Sequence, residues 1–199
     1  MRIFQHRVNS LEELCLVPTE FGVEIDIRSN GESLVLAHDP FMHNSVRFED
    51  WLTSYRHHGI ILNIKEEGLE VKILKLLADH SIEDFFFLDQ SFPYLVRTLK
   101  QGEYRCAVRV SDFESAETAR SLNPMPEWVW LDSFTGDWQH LSEINNLVSQ
   151  GYKTCLVSPE LQGRKLDEEC DQIVSVLDTL DVKLDAVCTK NPEVWGGVS

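Results

Sequence analysis

The sequence predicts an α/β fold, and within that class a small (β/α)8 TIM barrel that forms one domain over residues 1–199. Short apolar runs alternate with amphipathic stretches along the chain, which is the pattern of βα units and a parallel sheet. Eight such runs with seven stretches between them fit a barrel whose last helix is missing or vestigial. The length suits one hydrophobic core without a second domain. A doubly wound open sheet is the alternative architecture for the same alternation.

The predicted strands are short runs rich in β-branched and aromatic residues. A β-hairpin inserted after the second strand is predicted from Ile27 to His38, because Asn30-Gly31 is a strong type I′ turn signal. The eight strands are predicted at Arg2–His6, Gly22–Arg28, Ile60–Lys65, Asp84–Asp89, Tyr104–Val110, Trp128–Ser133, Lys153–Ser158 and Asp185–Lys190.

The predicted helices lie between these strands and show apolar residues at helical spacing, as at Val71, Leu74 and Leu77. Gly59 and Gly102 each follow such a stretch as a stop signal. The seven helices are predicted at Ser10–Phe21, Phe48–His58, Leu69–Asp79, Phe92–Lys100, Glu114–Leu122, Leu141–Gln150 and Leu166–Leu180.

Composition excludes several classes of protein. The formal net charge is −15 and there is no Lys/Arg cluster, which disfavours nucleic acid and anionic membrane surfaces as partners. The five cysteines are scattered, without a CxxC pair or the density of a disulfide scaffold. No apolar run is long enough to span a bilayer and no signal-peptide core follows the N-terminus. We therefore expect a cytoplasmic protein without a stable membrane anchor, and the oligomeric state is left open.

Polar side chains occupy the carboxyl ends of the predicted strands, where barrel enzymes carry their active sites. Glu24 and Asp26 are two residues apart on one strand, so both carboxylates point the same way. Two like charges at that spacing call for a bound cation, a shared proton or a basic group. Buried charges are rare unless they are paired or ligating, so we expect Glu24 and Asp26 to act together with His6, His38 and Lys65.

Other polar residues at the strand ends receive weaker interpretations. Arg109 ends the fifth predicted strand and is predicted to bind substrate. The loop Ser158–Arg164 is either a salt-bridged loop or a reader of a substrate head group. Three acids taken singly are interpreted as helix caps: Asp89, Asp132 and Asp185. The remaining histidines are interpreted as solvated surface or capping residues: His43, His57, His58, His80 and His140.

Five segments carry a resemblance to a known family, the glycerophosphodiester phosphodiesterases, which are related to the phosphatidylinositol phospholipases C. The likeness covers the barrel from end to end and is most specific in the first third of the chain. The segments are HR at His6-Arg7, GVEIDIR at Gly22–Arg28, LVLAHDPF at Leu34–Phe41, LNIK at Leu62–Lys65 and LDAVCTKNP at Leu184–Pro192.

The resemblance implies a phosphodiesterase in which His6 and His38 serve as general base and acid. Glu24 and Asp26 would ligate a divalent cation, Mg²⁺ or Ca²⁺, with the third ligand position at Asn63. Hard oxygen ligands agree with that choice of metal over zinc. The phosphate would be held by Arg7 and Lys65.

Departures from the family pattern shift the expected chemistry. Asn63 stands where the family usually has an acidic residue, so metal binding should be weaker unless Asp89 compensates. Asn191 stands where an Asp is frequent, and Val8 replaces the usual glycine. The resulting HRVN at residues 6–9 is similar to the HxVN of spider-type sphingomyelinases D, which work by intramolecular transphosphorylation. This similarity favours a cyclic phosphate as the product.

Three functions are consistent with these residues. The first is a metal-dependent phosphodiesterase that cleaves a glycerophosphodiester-like small or lipid-derived diester by His/His acid-base catalysis. The second is a barrel of the same fold that binds a phosphate ligand and has lost catalysis through Asn63. The third is a sugar-phosphate isomerase or epimerase in which Lys65 and an acid exchange protons.

Overall fold

The structure is a computed structural model and describes residues 1–42 and 44–196. Every strand predicted from the sequence is present, within three residues at its ends, and one more belongs to the predicted hairpin. The strands are β1 Arg2–Gln5, β2 Gly22–Asn30, β3 Ser33–Leu36, β4 Ile60–Ile64, β5 Phe85–Leu88, β6 Ala107–Val110, β7 Trp128–Leu131, β8 Lys153–Val157 and β9 Ala186–Thr189.

Eight of the strands form one parallel sheet in the order β5-β4-β2-β1-β9-β8-β7-β6. A parallel bridge between Phe87 and Cys106 joins its two ends, which closes the sheet into a barrel and excludes the doubly wound alternative. β3 pairs antiparallel with β2 alone, from Ile27↔Leu36 to Asn30↔Ser33, so the hairpin insertion is confirmed.

The helices alternate with the strands as predicted, and the last is a single turn, as expected for a vestigial eighth helix. The predicted helix Ser10–Phe21 ends early, because Pro18 disfavours helical geometry at the residue before it. The helices are α1 Leu11–Leu16, α2 Phe48–Ser54, α3 Glu70–Asp79, α4 Phe92–Lys100, α5 Ala116–Ser121, α6 Ile144–Ser149, α7 Leu166–Leu180 and α8 Pro192–Trp195, with 3-10 turns at Gln139–Glu143 and Pro159–Gln162.

Alternate residues of each strand face the barrel interior or the surrounding helices. Phe4, Ile61 and Trp130 belong to the inner cluster, whereas Val23 and Ile25 pack in the outer one. Extending this alternation toward the carboxyl ends turns polar residues toward the mouth of the barrel. Those residues are His6, Glu24, Asp26, Asn63, Lys65, Arg109, Asp132 and Lys190.

Of the two interpretations of the remaining histidines, solvated surface residue or capping residue, the first is wrong for His57, whereas its contact with Val17 directly after α1 agrees with capping. Its side chain is buried, its Nε2 lies 3.0 Å from the Val17 carbonyl oxygen, and its ring packs on Tyr55 at a centroid distance of 5.8 Å. Both ring nitrogens of His140 are also buried. His43 lies outside the described residues.

Most of the cysteines lie in the protein interior. Among the described residues none of the five forms a disulfide, and only Cys15 is exposed. A search of the described ranges finds no helix with the length and apolar character needed to cross a membrane.

Candidate active site

The two acids of β2 lie at the centre of a polar cluster at the mouth of the barrel. Glu24 and Asp26 are both 0 % exposed and have β1 on one side and β4 on the other. The register pairs Glu24 with Ile61 and Asp26 with Asn63. The inward-facing residues of β2 therefore lie beside the inward-facing residues of β4. The predicted convergence of the first three barrel strands on one site is confirmed.

Glu24 is held by polar contacts from both neighbouring strands. Its Oε2 accepts a hydrogen bond from the backbone N–H of Arg7 at 2.8 Å, and its Oε1 accepts one from Asn63 Nδ2 at 2.9 Å. The φ angle of Arg7 is 57°, a left-handed conformation that is unusual for a residue other than glycine. Burial and the charge of Asp26 raise the pKa of Glu24.

His6 lies beside Glu24, with 3.8 Å between His6 Nε2 and Glu24 Oε2. The ring is 14 % exposed, and its Nδ1 is buried without a partner. Burial, reinforced by the charge of Arg7, lowers the pKa of His6 to about 3. The imidazole is therefore neutral at pH 7, which is the form that accepts a proton.

Asp26 is fixed by Asn9 and faces two cations. Asn9 Nδ2 donates to Asp26 Oδ2 at 2.8 Å, and the backbone N–H of Asp26 donates to Asn9 Oδ1 at 2.9 Å. Lys65 Nζ lies 3.2 Å from Asp26 Oδ1, although that oxygen accepts no hydrogen bond of good geometry. Arg7 Nε lies 3.9 Å from Oδ2. The two residues that the resemblance assigns to the phosphate thus flank one carboxylate.

Asn63 supplies the oxygen that most clearly fits a cation. Its amide nitrogen is used by Glu24, while its Oδ1 is buried and has no partner. A buried unpaired carbonyl oxygen beside two carboxylates forms an all-oxygen donor set of the kind that Mg²⁺ and Ca²⁺ prefer. Within residues 1–42 and 44–196, no group of three or more His, Cys, Asp or Glu side chains is placed to hold a metal ion. The Asn63 amide oxygen is thus the third oxygen donor near the two carboxylates of β2.

His38 directly follows the hairpin, and the backbone before it is tied to the acid strand. The preceding residue, Ala37, donates its backbone N–H to the carbonyl oxygen of Asp26 at 3.0 Å, which ties the hairpin to the acid strand. His38 Nδ1 lies 2.8 Å from Asp39 Oδ1, and a hydrogen bond to His38 lowers the pKa of Asp39. An ionised Asp39 accepts the proton of Nδ1, so we assign the free Nε2 to proton exchange.

Arg28 fixes the position of His38 and was not singled out from the sequence. Its Nε and Nη2 donate to the His38 carbonyl oxygen at 3.1 and 3.0 Å. The same guanidinium contacts the Lys65 carbonyl oxygen at 3.4 Å and Glu66 Oε1 at 3.5 Å. One side chain therefore joins the segment that carries His38 to the strand end that carries Lys65.

Arg109 occupies a separate network on the other side of the barrel. Its guanidinium binds Asp89 and Asp132 directly, and its Nε lies 3.7 Å from Glu114 Oε2. Gln162 Nε2 donates to both oxygens of Asp132 at 3.1 and 3.0 Å. Substrate binding by Arg109 stays a prediction, whereas Asp89 is committed to Arg109 rather than to the pair on β2.

The loop Ser158–Arg164 is tied to the body of the barrel at both ends. Glu160 Oε1 accepts from Thr189 Oγ1 at 2.6 Å and from the backbone N–H of Lys190 at 2.9 Å. Arg164 donates to Glu169 at 2.8 Å and to the Ser133 carbonyl oxygen at 2.6 Å. The structure favours the interpretation as a salt-bridged loop.

Three side chains near this site were given no individual role from the sequence: Asn9, Arg28 and Lys190. For Lys190 a signal was present, because it follows Ala186 and Cys188 at the two-residue spacing of inward-facing positions. Arg28 follows Glu24 and Asp26 at the same spacing, but its partners lie in other segments of the chain.

The barrel fold is shared with solved glycerophosphodiester phosphodiesterases. One from Agrobacterium tumefaciens str. C58 matches with a TM-score of 0.70 over 99% of this chain and 98% of that chain, at 13% identity. A second solved structure from that bacterium, provisionally described as a glycerophosphoryl diester phosphodiesterase, gives 0.72 over 97% and 94%, at 14% identity. A glycerophosphoryl diester phosphodiesterase from Parabacteroides distasonis ATCC 8503 gives 0.65 over 98% and 85%, at 14% identity. No protein-family model and no curated protein matches the sequence.

Proposed function

We propose that this chain is a phosphodiesterase that cleaves a small, glycerophosphodiester-like substrate with His6 and His38 as general base and acid. The observation that carries the proposal is the buried cluster formed by His6, Glu24, Asp26 and Lys65 at the mouth of the barrel. The shared fold of the phosphodiesterases described above supports it. Fold alone does not carry a reaction, so the argument rests on the site.

The histidines differ in a way that suits opposite roles. His6 is neutral and buried, so it accepts the proton of the attacking hydroxyl, which belongs to water or to the substrate itself. The bond between phosphorus and the leaving oxygen then breaks, and His38 Nε2 donates a proton to the departing alkoxide. Asp39 accepts the proton of Nδ1, which orients the ring and leaves Nε2 for this step. Attack by a substrate hydroxyl gives a cyclic phosphate, and attack by water gives the monoester.

Arg7 and Lys65 hold the phosphate in this proposal. Both lie within 4 Å of Asp26, which keeps their charges together at the mouth without an anion present. Glu24, Asp26 and the amide oxygen of Asn63 would hold a divalent cation. When bound, that cation would neutralise negative charge on the phosphate oxygens.

The test is a panel of phosphodiesters that includes glycerophosphodiesters and bis(4-nitrophenyl) phosphate, assayed with Mg²⁺, with Ca²⁺ and after EDTA treatment. We expect turnover that EDTA abolishes and a divalent cation restores, and phosphorus NMR distinguishes a cyclic phosphate from a monoester. Activity that persists in EDTA would support the phosphodiesterase and contradict its dependence on a cation. Lys65, which already faces Asp26, would then supply the charge that the cation was proposed to supply.

One observation favours a second candidate, a non-catalytic barrel that binds a phosphate ligand. Asn63 stands beside Glu24 where a third carboxylate would complete a stronger cation site. This candidate predicts no turnover on any diester of the panel, together with a rise in thermal midpoint when phosphate ligands bind. The same panel therefore separates the two functions.

A further inference from the structure

We propose that Lys190 is a third phosphate-binding cation of this site, beside Arg7 and Lys65, an inference that rests on the proposed function. Lys190 belongs to neither the acid strand nor the hairpin and comes from the end of β9. Four kinds of observation support the assignment: strand pairing, backbone anchoring, the absence of an ion-pair partner among the described residues and the charges around Asp26.

Strand pairing places Lys190 next to His6. β9 pairs with β1 in the register Gln5↔Thr189, and the backbone N–H of His6 donates to the Thr189 carbonyl oxygen at 2.9 Å. Ala186 and Cys188 face the barrel interior, so the two-residue period directs Lys190 to the inner side of the mouth. Its side chain is exposed there, where a substrate enters.

The backbone of Lys190 is anchored on both sides. Its N–H donates to Glu160 Oε1 at 2.9 Å, and its carbonyl oxygen accepts from Gln5 Nε2 at 3.4 Å. Neither contact uses the ammonium group. Because its backbone is already held in place, Lys190 loses less conformational entropy when it binds an anion. Both contacts use backbone atoms of Lys190, so a substitution of its side chain leaves them intact.

Lys190 is distinguished from the other two cations by its lack of a counter-ion. Lys65 and Arg7 both face Asp26, at 3.2 and 3.9 Å. Over the part of the chain that the structure describes, Lys190 forms no ion pair.

The charges around Asp26 favour an anion. Arg7 and Lys65 share one counter-ion, Asp26, so Lys190 adds positive charge that no carboxylate among the described residues offsets within ion-pair distance. A phosphodiester carries one negative charge. An ammonium group without an internal partner binds such a group without first breaking an ion pair, which is the costly step for Lys65 and Arg7.

The experiment compares two neutral variants, Lys190→Ala and Lys190→Gln, with the conservative Lys190→Arg. Lys183→Ala is the matched control, because it removes the same charge from the chain at the opposite end of β9. Binding of inorganic phosphate is measured by calorimetry at fixed low ionic strength, and hydrolysis of bis(4-nitrophenyl) phosphate gives KM and kcat. We expect the neutral variants to weaken phosphate binding about tenfold and to raise KM by a similar factor, with a smaller change in kcat.

The outcomes separate this inference from the proposed function. Lys190→Arg should stay near wild type, and Lys183→Ala should be unchanged. Neutral variants that bind phosphate as wild type does overturn the inference, even if the diester is cleaved. Phosphate binding that depends on Lys190, in a chain that cleaves no diester, supports the inference and overturns the proposed function. A wild-type chain that neither binds phosphate nor cleaves a diester overturns both.

Discussion

The two sides of the barrel mouth both bury charged groups, but they differ in whether the buried polar atoms have hydrogen-bond partners. On the side of β1, β2 and β4, three buried atoms have no hydrogen-bond partner among the described residues: His6 Nδ1, Asp26 Oδ1 and Asn63 Oδ1. On the side of β6 and β7, Arg109 is surrounded by three carboxylates, and Asp132 receives a further hydrogen bond from Gln162.

The difference separates a site prepared for a ligand from a structural network. A buried polar atom without a partner costs roughly 1–3 kcal/mol, so a cluster of three is retained only where something else completes it. A saturated network has no such deficit, and its loss leaves buried charges unpaired. Removing a side chain on the first side should therefore alter activity with little loss of stability, and removing one on the second should do the reverse.

The largest effect is expected for His6→Ala. Loss of a general base lowers the rate by about 10²–10⁴-fold, and the fold should be retained because the ring makes no direct hydrogen bond through Nδ1. Turnover of the best diester of the panel and the thermal midpoint are measured together. The exposed His58→Ala is the control and should retain full activity. An active His6→Ala would remove this residue from the mechanism.

Arg109→Met tests the other side of the comparison. Removing this guanidinium leaves Asp132, which is 1 % exposed, beside Asp89 without its cation, and we expect a loss of about 3–5 kcal/mol in the free energy of unfolding in urea. The double variant Arg109→Met/Asp132→Asn should recover part of that loss. Unchanged stability with a raised KM would instead establish Arg109 as a substrate-binding residue.

Asn63→Asp tests whether the unpaired oxygen of Asn63 marks a cation site. A third carboxylate beside Glu24 and Asp26 should lower the free energy of unfolding by roughly 1–3 kcal/mol without a cation. Saturating Mg²⁺ or Ca²⁺ should restore it, since a ligand at 100 times its Kd contributes about 2.7 kcal/mol. Thermal or urea unfolding with and without the cation is the measurement. A variant that gains nothing from either cation would argue against a metal at this position.

The smallest effect is expected for Arg28→Lys, which keeps the charge and loses the fork that holds the His38 carbonyl oxygen. We expect kcat to fall about 10- to 100-fold through misplacement of His38, with little change in KM. Arg47→Lys, at an exposed arginine that pairs with Glu49, is the matched control. If both variants behave alike, the contacts of Arg28 have no part in positioning His38.

Much of the active site was accessible from local sequence patterns. Alternation along β2 directs Glu24 and Asp26 to one face regardless of what surrounds them, because side chains of a strand alternate with a period of two. The same period places Asn63 with Lys65. His57 shows the limit of such reasoning: its neighbours Arg56 and His58 are exposed, yet Val17, forty residues away, provides the partner for its ring.

The sequence by itself determined the order of strands and helices, the inward face of each strand and hence which strand residues point toward the mouth of the barrel. Those properties depend on periodicity, which is local. Only the tertiary structure decided which polar groups are satisfied there: that Arg109 has three acidic partners, that Asn63 Oδ1 has none, and that Lys190 lies beside His6. Whether a polar group has a hydrogen-bond partner depends on contacts between segments that are far apart in the chain. These contacts form only when the barrel closes.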